Sequence, residues 1–133
     1  MADGDDSDIV QPAKTILVAE DELEIREFLV MMFDVEGFNV LKASDGREAL
    51  DLMHQQTQAV DLLVTDLGLP RLGGMELIQQ ARIRFPLLKV VAISGFGHAN
   101  VRSGLKAIGV DVFFPKPFYP RDLLATVKEM LGE

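Results

Sequence analysis

The chain has 133 residues, no cysteine, 48% hydrophobic residues and a formal net charge of −8 from 13 basic and 21 acidic residues. That size and apolar content suit one globular domain able to bury a core without staples, and the missing thiols exclude disulfides, thiolate zinc sites and a cysteine nucleophile. The acidic balance, with no cluster of Lys or Arg, argues against non-specific nucleic-acid binding.

Asp3, Asp5, Asp6 and Asp8 supply half of the net charge, so the start of the chain reads as a flexible acidic tail over residues 1–13, followed by one domain over 14–133. The polar start is unlike a signal peptide, and the longest purely apolar run, Phe28 to Phe33, is far too short to span a membrane.

Five short apolar runs follow at Ile16–Ala19, Phe38–Ala43, Leu62–Thr65, Lys89–Ser94 and Val112–Phe114. They lack strict polar alternation, which is the pattern of strands buried on both faces and predicts a parallel sheet. Helical spacing fills the gaps. Ile25, Phe28, Leu29 and Met32 form one stripe, Ala49, Leu52 and Met53 a second, and Gly74, Leu77, Ile78 and Ala81 a third. Val101, Leu105 and Ile108 form a thinner one interrupted by Gly104, and Leu124, Val127 and Leu131 the last. Gly37 ends the first helix, Ser44 is placed to cap the second, and Pro86 stops the third. Strand–helix repeated five times gives an α/β fold with a doubly wound parallel sheet.

Ligands of such sheets bind beyond the carboxyl ends of the strands. Those ends carry Glu20, Asp21 and Glu22 after the first run, Asp66 after the third, Ser94 and Gly95 after the fourth, and Lys116 between two prolines after the fifth. Two carboxylates about 5 Å apart repel by roughly 3 kcal/mol at an effective dielectric near 20, so a convergent cluster calls for a cation. Mg²⁺ suits it, being a hard ion held by one or two carboxylates, with Mn²⁺ as a substitute; His54 and His98 fall elsewhere, which argues against soft metals. An Asp carboxylate can attack a phosphoryl group, Lys116 and Ser94 can hold the phosphoryl oxygens, and Gly95 leaves the approach open. Taken singly, Asp21 also suits a helix N-cap, Ser94 with Gly95 a plain turn and Lys116 a solvated lysine. Glu22 reads as a first-turn helix residue and Phe113 as core packing. Asp21, Asp66, Ser94 and Lys116 together, each at its own strand end and in this order, favour a shared phosphoryl site.

The segments ILVAEDE at 16–22, VTDLGLPRLGGMEL at 64–77, VVAISG at 90–95 and FFPKPF at 113–118 resemble the receiver domains of response regulators, over about Thr15 to Leu131. The resemblance implies a flavodoxin-like sheet of order 2-1-3-4-5; that order includes a family member among the standard examples of the fold. It implies Asp66 as phosphoacceptor, Glu20 and Asp21 as the acidic pair for Mg²⁺, and the Gly68 carbonyl as a further ligand. Ser94 and Lys116 would read the phosphoryl group, Phe113 would be the aromatic switch, and the Lys116–Pro117 bond would be cis. It further implies a sensor histidine kinase or histidine phosphotransfer protein as donor, a switched surface of the fourth helix, fifth strand and fifth helix, an unspecified downstream protein and a cytoplasmic setting, with no nucleic acid or membrane contact. The domain would catalyse only its own phosphorylation and dephosphorylation. Three positions depart from the common pattern. Glu20 stands where Asp is usual, Phe113 where Tyr is common, and Gly68 puts no side chain over the pocket, which predicts a shorter-lived phosphoryl group. Two rivals share parts of this signature. A haloacid-dehalogenase-type phosphohydrolase needs Asp-x-Asp after its first strand, where this chain has Glu20, Asp21, Glu22; a degenerate receiver that only binds partners would have no need of Asp21, Asp66, Ser94 and Lys116. A stand-alone regulator and a receiver cut from a hybrid kinase both fit the sequence.

Overall fold

Five strands pair into one parallel sheet in a computed structural model that describes residues 12–55, 59–95 and 104–133. The strands are β1 (Thr15–Ala19), β2 (Asn39–Ala43), β3 (Leu62–Asp66), β4 (Lys89–Ser94) and β5 (Val112–Pro115), in spatial order β2-β1-β3-β4-β5. Helices α1 (Leu23–Val35), α2 (Gly46–Gln55), α3 (Gly74–Arg84) and α5 (Pro120–Met130) connect and close them. Residues 104–107 are helical as well and are labelled α4. The predicted acidic tail up to residue 11, His98 and Val101 lie outside the described residues.

The sheet order and the parallel pairing are those expected. All five residues of β3 are buried, and so are all but the first of β1 and β4. Each Leu, Val or Ile fully removed from water contributes about 1.5–3 kcal/mol, which is why the three central strands carry almost no polar side chains before their carboxyl ends. Successive side chains go to opposite faces. Leu17, Leu63 and Val90 meet Leu50, Met53, Leu77 and Ile78 from α2 and α3. Ile16, Val18, Leu62 and Val64 meet Leu29 and Phe33 of α1 and Leu123 and Val127 of α5.

With both faces apolar, burial alone does little to fix strand register. Two aspartates at the amino edge do so. The Asp61 carboxylate accepts the Thr15 N–H at 2.8 Å while its own N–H donates to the Thr15 carbonyl at 2.9 Å, tying β1 to β3. Asp111 does the same for β4 and β5, accepting the Val90 N–H at 2.8 Å and donating to the Val90 carbonyl at 3.0 Å. The pairs Ile16–Leu62 and Val91–Val112 follow from these clasps.

Three local expectations need correction. The second helix is capped by Asp45, whose Oδ1 accepts the Glu48 N–H at 2.7 Å; Ser44 lies one residue too early and instead donates its own N–H to Glu48 Oε1 at 2.7 Å. On α1, Phe28 is half exposed and Phe33 fully buried, because the inward face runs Ile25, Leu29, Phe33 at four-residue steps. On α5 the inward residue is Leu123, with Leu124 only half-buried.

The long β3–α3 turn is held against the sheet by two glycines. A Cβ on Gly74 would lie 2.3 Å from the Asp66 carbonyl oxygen, and one on Gly46 would lie 1.9 Å from that of Leu72. Neighbouring Gly73 has room, the nearest atom to its Cβ being 3.9 Å away. Gly74→Ala and Gly46→Ala are therefore expected to destabilise the domain by about 2–3 kcal/mol or more, by overpacking against backbone. Gly73→Ala should stay within about 1 kcal/mol of the native chain. Urea unfolding of the three variants checks this, and equal losses at positions 73 and 74 would contradict it.

Candidate functional site

The carboxyl ends of β1, β3 and β5 bring one ammonium into a nest of carboxylates. Lys116 Nζ lies 2.5 Å from Asp66 Oδ2, 3.1 Å from Glu20 Oε1 and 3.1 Å from Glu22 Oε1. Its side chain is only 16% exposed. The backbone fixes its position, since the Lys116 N–H donates to the Ser94 carbonyl at 2.7 Å; the Lys116–Pro117 bond is cis, as the resemblance implies.

Asp66 ends β3 and is 7% exposed. Its Oδ1 accepts the Gly68 N–H at 2.7 Å, so the two carboxylate oxygens have different partners, a backbone amide on one side and Lys116 on the other. The preceding Thr65 is fully buried and donates its hydroxyl to the Asp66 carbonyl at 2.9 Å, holding the strand end in place.

Glu20 is 1% exposed. Its N–H bonds the Ala43 carbonyl at 3.0 Å, and its own carbonyl accepts Arg26 Nη1 at 2.9 Å. Oε2 accepts the Glu22 N–H at 3.0 Å. Oε1 is buried with no aligned hydrogen-bond partner; Lys116 is close enough for an ion pair but off the direction a hydrogen bond needs. Burial, joined by the negative charge of Asp66, pushes the Glu20 carboxyl up to about 7, against the pull of the Glu22 amide and Lys116. Burial works against the charge of Lys116 too, but its hydrogen bonds to Asp66 and Glu22 and its ion pair with Glu20 outweigh this and raise the ammonium above its ordinary value. The lysine is therefore a fixed positive charge, and Glu20 is the group that yields.

The sign for stability follows. A carboxyl whose pKa is raised by folding binds more protons in the folded state. Its stabilising effect is complete below about pH 4.5, and is lost as pH rises through about 7. Holding Glu20 ionised at pH 8 with only the shared Lys116 as counter-ion costs on the order of 3 kcal/mol.

Glu20, Asp21 and Asp66 each offer one oxygen, all within 4.8 Å of one another. An orphaned buried carboxylate oxygen beside two further hard donors is the donor set that a small divalent cation with oxygen ligands requires. Asp21 is exposed and does not cap α1; Glu22 occupies that position, with no side-chain cap. Glu22 was expected only as a helix residue, and its pairing with Lys116 was not read from the sequence. Ser94 is buried at the end of β4, one residue beyond the partner of Asp66. Phe113 is half-buried on β5 and sits on the opposite face from Val112 and Phe114, which pack toward α1 and α5. His54 is exposed on α2, 6.3 Å from the Phe85 ring, away from the site. Arg71, at φ 69°, reaches back to Asp45 at 3.2 Å and fastens the turn that follows Asp66. Spacing in the sequence carries no sign of that contact; Gly73 and Gly74 mark only a turn there. A groove of about 500 Å³ runs from Glu22 and Lys116 along Ile25, Phe28, Pro117 and Phe118. No helix among the described residues is long and apolar enough to cross a membrane.

Known proteins share this chain's sequence pattern and fold. Residues 16–128 match the sequence profile of the response regulator receiver domain. The response regulator MprA of Mycolicibacterium vanbaalenii is 37% identical over 117 residues, which cover 87% of this chain and 49% of that protein. The sensor kinase CckA of Brucella abortus is 35% identical over 117 residues, covering 88% of this chain and 12% of that one. The chain thus spans about half the length of MprA and a small part of CckA. A CheY-like receiver domain protein from Methanospirillum hungatei superposes with a TM-score of 0.84 at 28% identity, covering 91% of this chain and 95% of the other. A match across nearly every strand and helix, joined to the same sheet order, places the chain in the response regulator receiver domain family of two-component systems.

Proposed function

We propose that Asp66 accepts a phosphoryl group from a phosphohistidine of a sensor histidine kinase or a histidine phosphotransfer protein. The observation that carries this reading is the Asp66 carboxylate itself: nearly buried, oriented by the Gly68 amide, paired with Lys116 and within reach of Glu20 and Asp21. One Asp66 oxygen attacks phosphorus, the bond to the donor nitrogen breaks, and an acyl phosphate forms on Asp66.

Glu20, Asp21, Asp66 and the Gly68 carbonyl would hold Mg²⁺ (or Mn²⁺ in its place), which when bound neutralises charge on the transferring oxygens. Lys116 passes from Asp66 to a phosphoryl oxygen, and the Ser94 hydroxyl donates to another. Ser94 shifts toward the new anion and Phe113 takes up the space beside it. This biases the α4-β5-α5 surface toward a state that a downstream protein reads. The domain works in the cytoplasm and acts only on its own aspartate. Family membership does not favour the phosphohydrolase or the phosphate-blind module.

Incubation with a small-molecule phosphodonor and Mg²⁺, followed by intact mass, is expected to add one phosphoryl group per native chain and none to Asp66→Ala. Labelling of Asp66→Ala at the native level would contradict the assignment. A side chain at position 68 would begin 3.5 Å from Asp66 Oδ1, so Gly68 leaves the carboxylate open to water. Gly68→Asn is expected to slow loss of the phosphoryl group severalfold in a dephosphorylation time course; an equal or faster rate in the variant would count against it.

A further inference from the structure

We propose that Glu22 is a positioning residue for Lys116, holding the ammonium over the pocket when its other partners turn away. This rests on the reading of Asp66 as phosphoacceptor. Glu22 stands at the N-cap of α1, where an acidic side chain ordinarily accepts a helix N–H. Its carboxylate makes no such bond. The Glu22 N–H is satisfied by Glu20 Oε2, and Glu22 Oε1 reaches across the pocket mouth to accept from Lys116 Nζ at 3.1 Å, between residues 94 positions apart.

Lysine has three N–H donors on a flexible four-carbon stem, so its ammonium goes where acceptors hold it. Its three carboxylate partners differ in kind. Glu20 and Asp66 belong to the group of oxygens able to close on one cation, and Asp66 is also the oxygen that would be esterified. Glu22 is outside that group, and its side chain is 61% exposed. Once cation and phosphoryl group engage the inner oxygens, Glu22 is the carboxylate of the three that stays on Lys116. One donor is then fixed outward and the others face the phosphoryl oxygens. The exposure of Glu22 limits the size of the effect. Solvent-shared pairs change an equilibrium by up to about fivefold, so Glu22 tunes the grip on the anion, while Lys116 supplies it.

The test is calorimetric titration with beryllium fluoride, a phosphoryl mimic, at saturating Mg²⁺. Glu22→Ala is expected to weaken anion binding about three- to fivefold. Glu22→Gln, which keeps an oxygen acceptor at the same reach, should restore most of it. On a Lys116→Ala background, Glu22→Ala should have no further effect, because the residue acts through the lysine. Binding by Glu22→Ala as tight as native or tighter would overturn the proposal, as would an equal loss on the Lys116→Ala background. If the native chain binds no beryllium fluoride, the phosphoacceptor reading and this proposal fall together; a failure confined to the Glu22 variants removes this proposal alone.

Discussion

Lys116 is shared by three carboxylates at the carboxyl edge of the sheet, and most of the site's chemistry can be traced to that imbalance. Asp66 holds the ammonium closest, Glu22 holds it from the rim, and buried Glu20 has one oxygen that nothing satisfies. One positive charge cannot compensate Glu20, Asp21, Glu22 and Asp66 together. The strain falls on Glu20, the most deeply buried of them, whose carboxyl is pushed up to about 7. A divalent cation among the same oxygens would relieve that strain, and a phosphoryl group on Asp66 would give Lys116 a new anion. The pocket is thus poised between states that differ in which anion the lysine serves.

The rest of the fold keeps this edge of the sheet in register. Asp61 and Asp111 clasp neighbouring strands at the opposite edge, so the carboxyl ends of β1, β3, β4 and β5 arrive level. Gly46 and Gly74 let the turn after Asp66 lie against α2 and α3 without a side chain between, and Arg71 fastens the same turn to Asp45. These contacts lie around the carboxylates and none touches the reacting oxygens. They determine whether Asp66 presents one oxygen to Gly68 and the other to Lys116, or swings free.

Much of this was legible in the chain itself, for identifiable reasons. Apolar runs without alternation announce strands buried on two faces, and the acidic, hydroxyl and amino groups that follow them stand out because burial excludes such groups elsewhere. The convergence of Glu20, Asp21, Asp66 and Lys116 came from that contrast. Periodicity was less able to choose between Phe28 and Phe33, since Phe28 follows Ile25 by three residues and Phe33 follows Leu29 by four, both helical steps, and only packing tells which stripe turns inward. The cap of α2 slipped by one residue because Ser44 and Asp45 are both good caps and the choice depends on where Gly46 can pack. The Glu22–Lys116 pair was invisible for a different reason: it joins residues 94 apart through exposed side-chain reach, which leaves no trace in spacing.

The central claim is that the acidic cluster is held at a cost that a hard cation removes. Thermal unfolding of the native chain with and without Mg²⁺, at pH 6 and pH 8, tests it most directly. The account predicts that Mg²⁺ raises the melting temperature at both values and by clearly more at pH 8, where Glu20 is ionised and no proton competes for its oxygens. Asp21→Asn should lose most of that gain. A melting temperature indifferent to Mg²⁺, or a gain that is larger at pH 6, would contradict it.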